Sequence, residues 1–146
     1  MKDEKNVYLV IGLGRFGQAI CRTLAEKGQQ VIAVDRTRQL VEEMAEVVDL
    51  AAQADATDSD ALAKVGAKTA DIAIVAIGGN IEASILATTI LQDLQIPHVI
   101  ARAENYTHAR VLARVGANKV VFPERDMGER LATLLIHPWM SHFVRS

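Results

Sequence analysis

The sequence predicts a doubly wound α/β domain, a parallel sheet of six strands in the order 3-2-1-4-5-6 with helices on both faces. Three observations predict it. Short apolar runs alternate along the chain with segments whose apolar residues recur every three or four positions. The first run, Val7–Ile11, meets glycines spaced as Gly12, Gly14 and Gly17, and an amphipathic segment follows with Phe16, Ile20 and Leu24 on one stripe. The second run, residues 31–34, ends on Asp35, close to the distance at which a dinucleotide-binding unit of the Rossmann type places its ribose-binding acid.

A lone G-x-G-x-x-G is weak, because glycines mark many ordinary turns; here strand, glycine turn, helix, second strand and terminal acid stand in register. Gly12 permits the tight turn and Gly14 the close approach of backbone to a phosphate. Gly17 lets the helix pack near the strand, so that amides at the helix start point at the anion. The run Gly12, Leu13, Gly14, Arg15, Phe16, Gly17 is therefore a candidate phosphate cradle, and an adenine nucleotide is the expected ligand.

At 146 residues and 50% hydrophobic content, the chain fits one domain able to fill a core between a sheet and two helical layers. With 16 basic against 18 acidic residues and a net charge of -2, nothing attracts it globally to nucleic acid or to an anionic membrane surface. A single cysteine, Cys21, excludes an intrachain disulfide and falls inside the first helix, where a small buried apolar role is expected. The N-terminus is short and charged with no signal-type apolar region, and no apolar run reaches membrane-spanning length; a soluble, cytoplasmic chain is expected.

Residues 36–47 carry Leu40, Val41, Met44 and Val47 at helical spacing and predict a second helix, with Arg36 and Thr37 at its start beside Asp35. Leu50–Gln53 predicts the third strand, and Asp55, Ala56 and Thr57 at its C-terminal end predict a second loop of the cleft. Thr57 with Asp60 three residues on fits a capping-box start for a helix through Leu62 and Val65, and the other reading of this acidic cluster, for Asp58 and Asp60, is helix capping alone. Helices closed by Gly28, Gly66 and Gly116 punctuate the βα units. Residues 72–77 predict a fourth strand buried on both faces. Ile77, Gly78 and Gly79 then leave room for a ligand across the strand ends, and Asn80 caps a helix through Ile81, Ile85, Leu86, Ile90 and Leu94 that Pro97 stops.

Residues 99–101 predict the fifth strand, which delivers Arg102, Ala103 and Glu104 to the same edge. Arg102 and Glu104 either contact phosphate or ribose, or pair with each other on the surface. Asn105 caps a helix over 106–115, in whose first turn His108 faces solvent or the cleft, solvent being the default for an isolated histidine. Residues 119–122 predict the sixth strand. Pro123 at a first helical position, with acids behind it, starts a last helix striped by Met127, Leu131, Leu134 and Leu135. Gly128 inside that helix costs about 1 kcal/mol relative to alanine unless close packing requires it. Pro138 breaks the helix, and Trp139, Met140, Phe143 and Val144 follow with no chain left to bury them. The expected organisation is a nucleotide-binding domain over 1–138 and, over 139–146, the start of a connector or a tail that docks on a second subunit.

Residues 12–17 read GLGRFG, residues 74–80 IVAIGGN and residues 122–128 FPERDMG. With these three motifs nearly the whole chain resembles the N-terminal RCK (TrkA-N) domain of Ktr and Trk potassium-uptake regulatory subunits. The resemblance implies a Rossmann unit that binds adenine nucleotides, assembles through dimers into a ring and controls a membrane potassium channel or transporter. It implies Arg15 as a phosphate-facing arginine and Asp35 as a ribose ligand, and it puts Asp55, the Ile77 to Gly79 turn, Arg102 to Glu104, His108 and Glu124 at cleft positions. Full-length members usually add a C-terminal ligand-binding domain, and this chain stops before it.

Two functions compete on the residues. A cation at Arg15 inside the glycine loop suits a ligand with more negative charge than a pyrophosphate, as ATP has, and Arg36 adds to that field. Asp35 accepts hydrogen bonds from free ribose hydroxyls and repels a 2′-phosphate, which argues against NADP. Glu124 is unfavourable beside phosphates alone, so a divalent cation bridging it to phosphate is one reading and helix N-terminal charge the other. The alternative function, an NAD-dependent oxidoreductase or an NAD(H)-binding fragment of one, needs a substrate pocket and a proton donor. His98, His108, His137 and His142 are scattered without metal spacing, and no nucleophile, base and orienting acid converge. The expectation is a regulatory module and not an enzyme. It senses ATP or ADP, with NAD(H) the other candidate, and sits in the cytoplasm beside its membrane partner, shifting the orientation of paired subunits in a ring.

Overall fold

Six strands and six α-helices alternate along residues 6–137, the residues that this computed structural model describes. The first half of the chain gives β1 (Val7–Ile11), α1 (Arg15–Glu26), β2 (Gln30–Asp35), α2 (Arg38–Met44), β3 (Leu50–Gln53) and α3 (Ser59–Lys64). The second gives β4 (Ile72–Val75), α4 (Ile81–Asp93), β5 (His98–Arg102), α5 (Tyr106–Arg114), β6 (Lys119–Val121) and α6 (Pro123–Leu135). All strands are parallel in one sheet ordered β3-β2-β1-β4-β5-β6, the Rossmann-type order expected. Ile11 at the end of β1 is paired with both Val34 and Val75, so three central strands end level where the strand order reverses. A crevice opens above that switch point.

Alternate residues of β1 enter two separate cores. Leu9 and Ile11 pack with Leu62, Leu91, Val99 and Leu112 on one face, while Val10 packs with Leu13, Cys21, Val31 and Met44 on the other. A strand buried on both faces needs an unbroken apolar run, and VYLVI supplies one. Cys21 takes the buried role expected of it, and burial pushes its thiol up to about 11, against the weaker pull of Arg22. At the opposite edge of the sheet, three strands start under the same device. Asp71, Asp49 and Asn118 accept from the N–H groups of Val7, Val31 and Val99 at 2.8, 2.9 and 2.7 Å, satisfying donors that the ladder leaves over. No buried side-chain nitrogen or oxygen among the described residues lacks a partner.

Several boundaries differ from expectation for local reasons. The helix expected over 36–47 starts only at Arg38, because the Thr37 N–H turns back to Asp35 Oδ1 (2.8 Å). Thr57 does not cap α3; Asp58 does, accepting from the N–H groups of Asp60 (3.0 Å) and Ala61 (3.2 Å). The Thr57 hydroxyl is drawn instead to Asp55 Oδ1 at 2.7 Å. β4 ends at Val75, two residues short of Ile77. α4 ends at Asp93, before Pro97 can act: Gln95 adopts a left-handed φ of 62°, and the Ile96 N–H closes onto the Leu91 carbonyl (3.2 Å). The caps by Asn80 and Asn105 and the start at Pro123 are as expected. So are the glycine closures, with Gly28, Gly66 and Gly116 at φ 80°, 90° and 126°.

α6 departs most. It buries none of its residues; Met127, Leu131 and Leu135 of its apolar stripe are 62, 53 and 43% exposed. Beyond its own helix, no atom of the described residues lies within 4 Å of where a Gly128 side chain would start, so no packing among them requires that glycine. The expectations placed on Pro138, Trp139, Met140, Phe143 and Val144 fall outside the described residues. No described helix is long and apolar enough to cross a membrane.

Candidate functional site

The glycine turn is built from two kinds of glycine. Gly12 has φ +99°, and a Cβ there would lie 2.8 Å from the Ile77 amide nitrogen; at Gly17 a Cβ would overlap the Gly12 carbonyl oxygen. Both are demanded by the fold. Gly14 is not: its φ of -74° suits any residue, and nothing lies within 4 Å of its missing side chain. It is the N-cap of α1, and no side chain among the described residues caps the first amides of that helix, at the positive end of the helix dipole.

Asp35 locks this turn to the next loop. Its Oδ2 accepts from the Leu13 N–H at 2.7 Å and its Oδ1 from the Thr37 N–H at 2.8 Å, leaving lone pairs on both oxygens for hydroxyl donors. One strand further out, Asp55 holds the Thr57 hydroxyl (2.7 Å) and N–H (2.9 Å). Those two bonds keep its carboxyl below the usual carboxylate range, and the Arg36 charge helps.

A cleft of about 640 Å³ runs along this edge. Of the residues singled out by sequence, Gly12, Leu13, Gly14, Asp35, Arg36, Thr37, Asp55, Ala56, Thr57, Ile77, Gly78 and Arg102 line it. Arg15, Phe16, Gly17, Gly79, Ala103, Glu104, His108 and Glu124 do not. Arg15 is exposed at the first position of α1, and Phe16 lies under the Arg102 guanidinium at 5.7 Å from its ring centre. Ile11, Leu40, Ala54, Ala76, Asn80, Glu82, Ala83 and Leu86 complete the wall. Of these, Leu40 reads from sequence as core, Asn80 as a cap and Leu86 as helix stripe. Glu82 and Leu86, four apart on α4, reach the cleft because the glycine turn after β4 aims the start of that helix across it.

The flank formed by β4, β5 and β6 carries cross-links. Arg102, its side chain 18% exposed, pairs with the 83% exposed Glu124 at 3.1 Å, not with Glu104. Glu104 accepts instead from the Gly79 N–H at 3.0 Å, because that amide, in a left-handed turn with φ +76°, points at it. His108 is 3% exposed, against the default of a surface histidine. Its Nδ1 accepts from the Glu104 N–H (2.9 Å), so the proton sits on Nε2, which donates to Ser84 Oγ at 2.6 Å. Burial pushes the imidazole below its usual 6.5, partly offset by the Glu104 charge. No group of three or more histidine, cysteine, aspartate and glutamate side chains able to hold a metal occurs among the described residues.

The sheet order, the crevice above its switch point and the glycine turn define a Rossmann-type domain. The TrkA-N domain model matches residues 8–123, and the chain belongs to that family. It is 44% identical over 128 residues to Ktr system potassium uptake protein C of Bacillus subtilis, covering 88% of this chain and 58% of that protein. Identity to Ktr system potassium uptake protein A of Vibrio alginolyticus is 40% over 136 residues, with 93 and 62% covered. The chain thus spans about three fifths of the length of these relatives. Among solved structures, the TrkA-N domain of the inner membrane protein ybaL from Escherichia coli superposes with a TM-score of 0.80 at 23% identity, covering 91% of this chain and 98% of that one. The GsuK structure bound to ADP superposes at 0.73 with 26% identity (94 and 35% covered), and the GsuK channel bound to NAD at 0.70 with 19% identity (83 and 22% covered).

Proposed function

We propose that this domain is a regulatory nucleotide-binding module and not an enzyme. It takes ATP or ADP in the cleft and passes the identity of the nucleotide, through paired and ring-assembled copies, to a potassium channel or transporter subunit in the membrane it adjoins from the cytoplasm. Gly14 is the observation that carries the reading: it is a glycine for which the described residues give no structural reason, set between uncapped helix amides and Asp35, where a phosphate and a ribose would lie. The Ktr relatives and the ADP-bound GsuK structure support the partner class and the ligand class. Among the described residues lining the cleft there is no histidine, lysine, tyrosine or cysteine, only the carboxylates of Asp35, Asp55 and Glu82 as acid–base groups, which supports a binding role over hydride chemistry. A second reading, NAD(H), is favoured by the reach of the cleft across β1, from Thr57 to Leu86.

Calorimetric titration with ATP, ADP, NADH and NADPH, on wild type and Arg15→Ala, tests the ligand. ATP should lose more affinity than ADP in the variant; equal losses remove Arg15 from the terminal phosphate, and hydride transfer to any acceptor at enzymic rates sinks the regulatory reading. Glu124 offers one carboxylate to a divalent cation, so nucleotide phosphates would supply the rest of the shell, and Glu124 would leave Arg102 to do it. Weaker MgATP binding by Glu124→Gln supports that bridge, and stronger binding leaves only the ion pair. For self-assembly, the exposed stripe of α6 beside the unfilled space at Gly128 fits a second copy. Leu131→Asp should then lower the sedimentation coefficient, and wild-type scattering profiles that are identical with ATP and ADP would count against an orientation switch.

A further inference from the structure

His108 does not line the cleft, yet it sits in a chain of hydrogen bonds, closed through the start of α4, that reaches the turn next to the cleft wall. Ser84 Oγ donates to the Ile81 carbonyl at 2.9 Å and receives His108 Nε2–H at 2.6 Å. His108 Nδ1 receives the Glu104 N–H at 2.9 Å, Glu104 Oε2 receives the Gly79 N–H at 3.0 Å, and Asn80 leads back into α4 through its cap on Ala83. Ser84 and His108 are buried, 0 and 3% exposed, so the anchor of the ring is in the core while its far end is the turn that carries Gly78. Gly78 faces the Arg102 guanidinium, with 3.5 Å from its Cβ position to Arg102 Cζ, and both line the cleft.

A glutamate side chain alone holds its carboxylate poorly in place, because several rotatable bonds must be frozen. Here the Glu104 backbone is tied down by an imidazole that is itself tied to α4. We infer that His108 is a positioning residue for the cleft: acting through Glu104, it holds the Gly79 amide and hence the Gly78 and Arg102 wall, without touching ligand. The inference rests on the nucleotide-binding reading for its effect on affinity, whereas the geometry it claims exists in the free protein.

The test measures Gly79 amide exchange in the ligand-free chain by NMR and ADP affinity by calorimetry. The variants are His108→Leu, Glu104→Ala, Glu104→Gln and the double change of His108→Leu with Glu104→Ala. Leucine keeps the volume of the site and removes the Nδ1 acceptor. His108→Leu and Glu104→Ala should each speed Gly79 exchange and weaken ADP binding about three- to tenfold. The double variant should be no worse than the weaker single, and Glu104→Gln, which keeps the acceptor, should stay near wild type. Additive losses, or Gly79 exchange unmoved by His108→Leu, overturn the role. Faster exchange with unchanged ADP affinity leaves the turn held but overturns its bearing on the cleft. Should His108→Leu not fold, Ser84→Ala removes the other anchor of the ring and reads the same two quantities. If wild type binds no ADP, the proposed function fails, and Gly79 exchange still decides whether His108 holds the turn.

Discussion

The two flanks of the cleft are held in place in different ways. On the flank of β2 and β3, each acid takes partners two residues away in its own loop, Asp35 the Thr37 N–H and Asp55 the Thr57 N–H and hydroxyl, and Asp35 adds one distant partner, the Leu13 N–H of the glycine turn. On the flank of β4, β5 and β6, the partners are distant in sequence: Arg102 with Glu124 across 22 residues, His108 with Ser84 across 24, Glu104 with Gly79 across 25. The first flank is complete once its strands and turns exist. The second is complete only when α4, α5 and α6 are all in position. A ligand that disturbs the first flank changes local loops; one that takes Arg102 from Glu124 changes a tether of α6, a helix that buries none of its own residues. A state change needs such a differential contact, and Arg102 is where one is available.

Asp35→Ala strikes the first flank hardest. It removes the proposed acceptor for ribose hydroxyls and the anchor of the Leu13 amide together, so on the proposed function ADP and adenosine should both lose affinity on the order of a hundredfold. Arg102→Ala breaks the second flank where charge matters: about tenfold for ADP and within about twofold for adenosine, by the same calorimetry. If the two variants affected adenosine alike, the proposal that Asp35 meets the nucleoside and Arg102 only the phosphates would be wrong.

The contrast between the flanks also explains what could be seen in the chain before its fold. β1 and β3 have the bounds expected of them, and Asn80, Asn105 and Pro123 act as expected, because apolar runs and caps are local signals. The cradle residues Gly12, Leu13 and Gly14 and the acids Asp35 and Asp55 also belong to local turns, and all of them line the cleft. The second flank could not be seen this way. Nothing near Arg102 in sequence points to Glu124, an isolated histidine gives no sign of the serine that meets it from another helix, and no local signal singles out Glu82. The miss at Thr57 was a local competition: Asp58 accepts two amides at once, while Asp55 claims the threonine hydroxyl.

Acid should separate the flanks in order, with the smallest effect of the three. The His108 pKa is lowered in the folded protein below the 6.5 of the unfolded chain, by burial. Above pH 6.5 both states are neutral at that ring and its contribution is whole; below it the unfolded chain takes up the proton first, and stability declines until pH has passed the folded value. The imidazolium carries a second N–H, which faces the Glu104 N–H and opens the ring of hydrogen bonds at that point. Asp55 behaves like its loop, in isolation. Its pKa lies below the usual 3.8, first because of the Thr57 hydroxyl and then its N–H, so its contribution holds down to pH 3.8 and is lost as pH falls through the folded value. Thermal melts from about pH 8 to about pH 3, on wild type, His108→Leu and Asp55→Asn, read both steps. The wild type should begin to lose Tm below 6.5, relative to His108→Leu, while Asp55→Asn should differ in slope only below 3.8. Equal slopes for wild type and His108→Leu across the upper range would mean that the buried imidazole is not what makes the networked flank the more acid-sensitive of the two.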